Sequence, residues 1–316
     1  MIKWAPESAA LPLVGMAQER PSNSRQLWSW LMTTKDQVHQ LLEVHGAILF
    51  RGFRIASAEE FQDLAGIFCH EFGSYVGGNS PRTRVANHVF TSTEYPKEEL
   101  ISMHNEASYL KRMPGKILFC CLKPAATGGQ TPLADCRRVL NRIDPQVRRR
   151  FDRSGVRYVN NLHGGTGLGK SWMETYCTKD RKEVERRLEA DGHAFEWRPN
   201  GTLRICMHAP ATLRHPVTQE EAWINQAEQW HSSSLESSLL EDLLSILRED
   251  ELPHNAFLGD GSPLDLSDLE DIRMAMTAEE RIFEWQAGDL LLCDNLLIMH
   301  GRQAYSGDRM VLAAMG

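Results

Sequence analysis

His104, Glu106 and His300 are the residues whose types point to chemistry. Two imidazoles and one carboxylate form a three-ligand set that leaves one face of an octahedral metal open, the arrangement by which non-haem Fe(II) enzymes admit a co-substrate and O₂ together. On a strand, positions i and i+2 share a face, so His104 and Glu106 can reach one ion if the segment is extended. His300 lies 194 positions beyond Glu106 (300 − 106), so only the fold can supply the third ligand. The donor set by itself would also accept Zn(II), Co(II) or Ni(II). Any one of these histidines, taken alone, reads as an ordinary hydrogen-bonded structural residue.

Two further segments gain meaning from their position relative to this set. Arg309 follows His300 by nine residues, across the turn Tyr305-Ser306-Gly307-Asp308, so a hairpin can return it to the same cavity. A guanidinium buried there needs an anion, which a dicarboxylate would supply; the plainer alternative is a structural salt bridge. Gly128-Gly129-Gln130-Thr131 makes a tight turn feeding a short strand, with the Thr131 hydroxyl at its start. No Ser-His-Asp or Cys-His arrangement competes.

The elements that must position these residues can be sketched from periodicity. Residues 46–53 read as a short buried strand ended by glycine, preceded by a helix over 36–44. Ser57 is the expected N-cap of an amphipathic helix, with Glu60 completing a capping box and the helix running to about Phe72. Residues 75–81 form a loop. Strands are expected at 84–86 and 117–122, then helices at 137–151 and 179–191. Strands at 156–159, 194–198, 203–207 and 222–225 fall between and after them. Residues 234–249 form a strong helix whose leucine stripe (Leu239, Leu240, Leu243, Leu244, Leu247) reads as core-facing. Short β-type runs at 281–285, 289–293, 297–300 and 309–313 complete the chain. Many short strands divided by turn residues indicate a mainly β fold with helices, a barrel or jelly roll. The reading is one domain over 1–316, partly helical around 137–280.

Composition narrows the function classes. The 316 residues are 42% hydrophobic and 24% charged, ordinary for a globular protein. A net charge of −7 counts against nucleic acid as the main partner. There is no apolar h-region at the N-terminus and no run approaching a membrane span, so neither a secretory signal nor a membrane partner is expected. The seven cysteines include no C-x-x-C pair, which favours a reducing, cytoplasmic setting. Seven arginines crowd between Arg137 and Arg153. They read as a solvated helix face or, alternatively, as a docking patch for an acidic partner such as an acyl or peptidyl carrier protein.

Taken together, His104-Asn105-Glu106, Gly128-Gly129-Gln130-Thr131, Asp294-Asn295, His300-Gly301-Arg302 and Arg309 resemble the taurine dioxygenase (TauD/TfdA) family of Fe(II)/2-oxoglutarate oxygenases, over roughly 46–309. Thr93-Glu94-Tyr95-Pro96, Pro124-Ala125 and 135–140 look most like the branch of the syringomycin-pathway aspartyl hydroxylase; clavaminate synthase is another relative with glutamate as its carboxylate. The resemblance implies a double-stranded β-helix, Fe(II) on His104, Glu106 and His300, and the distal carboxylate of 2-oxoglutarate on Thr131 and Arg309, with O₂ as co-substrate. Two positions depart from the pattern. Family members often carry a second arginine four residues after the first, where this chain has Ala313. Glutamate replaces the commoner aspartate, and a carboxylate at this position counts against halogenation.

What the resemblance implies is hydroxylation of an unactivated carbon in an amino acid, or an amino-acid-derived intermediate of specialised metabolism such as antibiotic biosynthesis. Candidate substrate contacts are Arg302, Asn225, Asn105 and Asn79. The same cofactor chemistry can also desaturate, epoxidise or cyclise, and a non-catalytic cupin-like scaffold is the rival from another class.

Overall fold

A computed structural model describes residues 2–5, 11–19, 22–69, 71–73, 83–92 and 95–316. Its spine is an eight-stranded sheet holding Ala47–Arg51, Leu290–Asp294, Lys116–Lys123 and Met310–Met315 side by side at its centre. These central strands read as continuous apolar runs because both faces are covered. Successive residues of Ile117–Cys121 alternate between two cores: Ile117, Phe119 and Cys121 face one, Leu118 and Cys120 the other. The adjacent cysteines therefore point to opposite sides of the sheet, and burial pushes the Cys121 thiol up to about 12. All seven cysteines are free thiols.

The outer core is closed by two helices. Ser24–His45 is longer than its pattern announced, starting at an Asn23–Gln26 capping box and carrying non-helical dihedrals at Thr34. Residues before 36 were not legible as helix because that kink breaks the apolar period. Ala58–Ala65 is N-capped by Ser57 as expected, but Glu60 accepts from the Ala56 N–H, and the helix stops at Gly66 rather than near Phe72.

The inner core lies against a four-stranded sheet ordered Arg281–Phe283, Thr131–Asp135, Ile298–Arg302, Ile101–His104. The two opposed sheets form a jelly roll with helices. A separate antiparallel sheet lies within 137–280: Ala194–Trp197, Leu203–Ala209, Val156–Leu162, His254–Leu258. The helix expected over 137–151 is two, Cys136–Arg142 and Pro145–Ser154, divided where Pro145 takes the first helical position behind the Asp144 cap.

One expectation fails outright. The leucine-rich helix, Ser237–Ile246, buries none of its residues, and Leu239, Leu244 and Ile246 are exposed. Periodicity fixes which side of a helix is apolar; it does not say whether another element arrives to cover it. No helix among the described residues is long and apolar enough to cross a membrane.

Candidate metal centre

His300 occupies the middle of Ile298–Arg302 and pairs across the ladder with His104, the last residue of Ile101–His104. Directly opposed residues on neighbouring strands have close side chains, and here the rings stand 4.7 Å apart. The register shifts just after His300. Gly301 permits this, since a Cβ there would come within 2.5 Å of the Ile101 carbonyl oxygen. Glycine at this position thus follows from close backbone approach.

Glu106 reaches the site differently from the strand argument. The strand ends at His104, and Glu106 lies in the turn beyond, next to Ala107 at φ 55° in the left-handed region. Its carboxylate Oε2 sits 3.8 Å from His300 Nε2. One ligand atom from each of His104, Glu106 and His300 falls within 4.8 Å of the others.

The donors suit a metal ion on grounds beyond proximity. His104 Nδ1 lies 2.9 Å from the Ser102 carbonyl, which can only accept, so Nδ1 carries the proton and Nε2 keeps its lone pair for a ligand bond. Both ring nitrogens of His300 are buried with no hydrogen-bond partner among the described residues. A buried imidazole without partners is costly unless something else takes its lone pair, and a cation between these three groups would do so.

Buried amides hold the turn that carries Glu106. Asn295 Oδ1 accepts the Glu106 N–H at 2.8 Å, while its Nδ2 donates to the Glu106 carbonyl at 3.0 Å and the Pro114 carbonyl at 2.8 Å. Asn105 Nδ2 donates to the Asn295 carbonyl at 2.7 Å, and Gln226 Nε2 to the Asn105 carbonyl at 2.5 Å. Sequence reasoning placed Asn105 among substrate contacts; its side chain is buried and bonds to backbone carbonyls and to the Cys136 thiol. Asn225 is likewise buried, donating to the Ala211 carbonyl and accepting from the Ala227 N–H. Asn79 lies outside the described residues.

The cavity beside the ligands is lined by Ser92, His104, Phe119, Thr131, His300 and Arg309. Gly129 stands at φ 72°, and a Cβ on it would meet Arg309 Cδ at 3.0 Å, so both the turn and the passage of the arginine require glycine. Arg309 donates through Nε to the Gly129 carbonyl and through Nη1 to Ser92 Oγ, each at 3.1 Å. No carboxylate pairs with it among the described residues. Burial, with Arg302 nearby, lowers its pKa to about 10. That is the signature of a cation with room for an anion, and it fits a dicarboxylate co-substrate.

Arg302 also lines this cavity, but it donates to three carbonyls of a neighbouring exposed segment: Tyr95 at 3.0 Å, Pro96 at 2.6 Å and Glu99 at 2.8 Å. It fastens that segment to the sheet. The arginine run is largely committed too. Arg137 pairs with Asp135 and Glu220, Arg142 with Glu279, Arg148 with Asp152 and Glu221, and Arg150 with Asp268.

One motif went unread in the sequence. Gly164 to Ser171 matches the Gly-x₄-Gly-Lys-Ser phosphate-loop pattern, between the strand Val156–Leu162 and the helix Trp172–Tyr176. The Glu174 carboxylate bonds both the N–H and the hydroxyl of Ser171, so the helix start already holds an anion.

Comparison with known proteins identifies the family. Residues 11–315 match the profile of the "Taurine catabolism dioxygenase TauD, TfdA family". The chain is 37% identical to the dapdiamide synthesis protein DdaC of Enterobacter agglomerans, over 88% of this chain and 84% of that protein. It is 30% identical to a clavaminate synthase-like protein of Arabidopsis thaliana, over 98% of this chain and 92% of that one. Among solved structures, PvcB from Pseudomonas aeruginosa aligns with a TM-score of 0.53 at 16% identity, covering 96% of this chain and 84% of PvcB, a likeness of fold. PvcB is an Fe, alpha-ketoglutarate dependent oxygenase from an isonitrile synthetic pathway.

Proposed function

The chain belongs to the TauD/TfdA family and is an Fe(II)/2-oxoglutarate-dependent dioxygenase, and from that premise we propose that His104, Glu106 and His300 hold Fe(II) while Thr131 and Arg309 hold the distal carboxylate of 2-oxoglutarate. The reaction we assign is hydroxylation of an unactivated carbon in an amino acid or amino-acid-derived intermediate of specialised metabolism. The likeness to a dapdiamide synthesis protein supports that substrate class. The single observation that carries the site assignment is the convergence of the three ligand atoms beside a half-buried arginine that pairs with no carboxylate among the described residues. The family match over 11–315 supports treating the chain as one oxygenase domain.

When bound, Fe(II) and 2-oxoglutarate supply the electrons that let O₂ attack a C–H bond, with loss of CO₂. The chain's own residues bind, orient and shield. Ser102 fixes the His104 tautomer, and Asn295 fixes the backbone of Glu106. Arg309 orients the co-substrate from the far end of the cavity. Arg302 fastens the 95–99 segment beside the cavity that it lines. No side chain is required to move a proton.

Anaerobic titration of Fe(II) and 2-oxoglutarate into the apo-protein tests the assignment. A visible charge-transfer band is expected, absent in His104→Ala and weakened in Arg309→Ala. A folded wild-type protein with no band overturns it. The substrate class is then tested by turnover of amino acids, free and tethered to a carrier protein. With most of the arginine run paired internally, a carrier would depend on Arg149 and Arg153. Reversing both charges should impair only the tethered substrate, and an equal effect on both substrates removes the carrier from the reading.

A further inference from the structure

Position 313 poses a physical problem at the co-substrate pocket. Ala313, four residues beyond Arg309, is fully buried within Met310–Met315, register-paired with Phe119 on one side and Phe90 on the other. No polar group can enter from there, so something else must orient the donors at this end of the cavity.

Two side chains do so. Trp285, just beyond the edge strand Arg281–Phe283, donates its indole N–H to Thr131 Oγ1 at 3.0 Å, and both residues are buried. Phe283, the register partner of Thr131, holds the indole edge-to-face at 4.7 Å. Ser92 Oγ accepts from Arg309 Nη1 at 3.1 Å. Indole and guanidinium groups can only donate, whereas a hydroxyl has one proton and two lone pairs. Once Oγ receives an N–H, the hydroxyl's own proton is directed at a different acceptor. Among the described residues neither Thr131 nor Ser92 donates to a protein acceptor, and both line the cavity that Arg309 lines. Arg309 uses two of its five N–H donors on Gly129 and Ser92, leaving three. The pocket end is thus a set of donors aimed at an acceptor-only group, which is what a carboxylate is.

We propose that Trp285 and Ser92 are positioning residues for the distal carboxylate of the co-substrate, Trp285 by setting the Thr131 hydroxyl as a donor and Ser92 by fixing the Arg309 guanidinium. This rests on the assignment of Thr131 and Arg309 above. Because they act on the distal carboxylate alone, they govern selectivity among 2-oxo acids and leave metal binding untouched.

The test is calorimetric titration, without O₂, of the Mn(II)-loaded protein with 2-oxoglutarate and with pyruvate, which lacks the distal carboxylate. Wild type should prefer 2-oxoglutarate. Trp285→Phe and Ser92→Ala should each weaken 2-oxoglutarate by about 10-fold, the loss expected of a hydrogen bond to a charged group, with pyruvate and Mn(II) affinities unchanged. Ser92→Thr, which keeps the hydroxyl, should restore 2-oxoglutarate binding. Variants that bind 2-oxoglutarate like wild type, or that lose both acids equally, overturn the proposal while the pocket assignment survives. A wild-type protein that does not distinguish the two acids overturns the pocket assignment and this proposal with it. Ser92 is a small, partly exposed residue, so its variants stay informative if Trp285→Phe folds poorly.

Discussion

Asn295→Ala separates the proposed metal ligands from the framework that aims one of them. Asn295 makes three hydrogen bonds, two of them to the backbone of Glu106. At roughly 1 kcal/mol net per bond the variant should lose about 3 kcal/mol of stability, which a domain with a stability of about 5–15 kcal/mol survives. The second consequence is local. Glu106 sits in a turn beside a left-handed Ala107 and depends on Asn295 for its backbone N–H and carbonyl. Loss of such an outer partner typically weakens metal binding by about 10- to 100-fold. Thermal shift makes the difference visible. At a metal concentration 100 times the wild-type Kd, binding stabilises the fold by about 2.7 kcal/mol; a 100-fold weaker variant gains only about 0.4 kcal/mol. An unfolding entropy of about 2.1 cal/mol/K per residue, over 316 residues, turns these gains into shifts of about 4 °C and under 1 °C. Mn(II) or Co(II) is titrated into both proteins, and the metal-induced shift compared with direct titration. If Asn295→Ala melts earlier yet keeps the wild-type metal affinity within about threefold, the amide serves the fold alone and the reasoning is refuted.

Two other outcomes follow from particular contacts. Gly129→Ala forces a Cβ to within 3.0 Å of Arg309 Cδ on a backbone at φ 72°, so stability should fall by about 1–2 kcal/mol and 2-oxoglutarate affinity with it; calorimetry showing the stability loss without the affinity loss counts against Arg309 as the co-substrate anchor. Burial raises the Glu228 carboxyl to about 7, opposed by Arg273 with its Nε at 3.9 Å. The folded pKa lies above the unfolded one, so stability should be greatest below about pH 4.5, fall as pH rises to about 7, and level off above. At roughly 1.4 kcal/mol per pH unit the loss is about 3 kcal/mol. Glu228→Gln should remove it, being more stable than wild type at pH 8 but not at pH 4.5. Urea melts at the two pH values decide, and a difference independent of pH refutes the assignment.

What was legible in the sequence is what residue type alone can carry. Imidazoles, a carboxylate and an arginine announce their chemistry wherever they fall, and the central strands announced themselves because a sheet covered on both faces must be apolar throughout. What was not legible depends on which neighbour arrives. The amides illustrate this: Asn105, Asn225 and Gln226 bond mostly to backbone groups, which every residue has, so no sequence pattern marks those partners. Ser92 and Trp285 were missed for the same reason. Each is an ordinary residue until a particular N–H or hydroxyl meets it.

The leucine helix and Glu106 fail in opposite ways, and the difference is instructive. For Ser237–Ile246 the period was right and the inference from it wrong, because amphipathicity is a property of the helix and burial a property of its surroundings. For Glu106 the side chain does converge with His104, as a two-residue spacing on a strand would require, but by a different route. An extended strand would have brought His104 and Glu106 to one face, yet the strand stops at His104 and a turn held by Asn295 brings the carboxylate back. A turn has no fixed two-residue period, so the side chain can be aimed by adjusting one left-handed residue, Ala107, rather than by register. That freedom accommodates a carboxylate one methylene longer than aspartate, and it makes the proposed metal site depend on an asparagine 189 residues away in sequence.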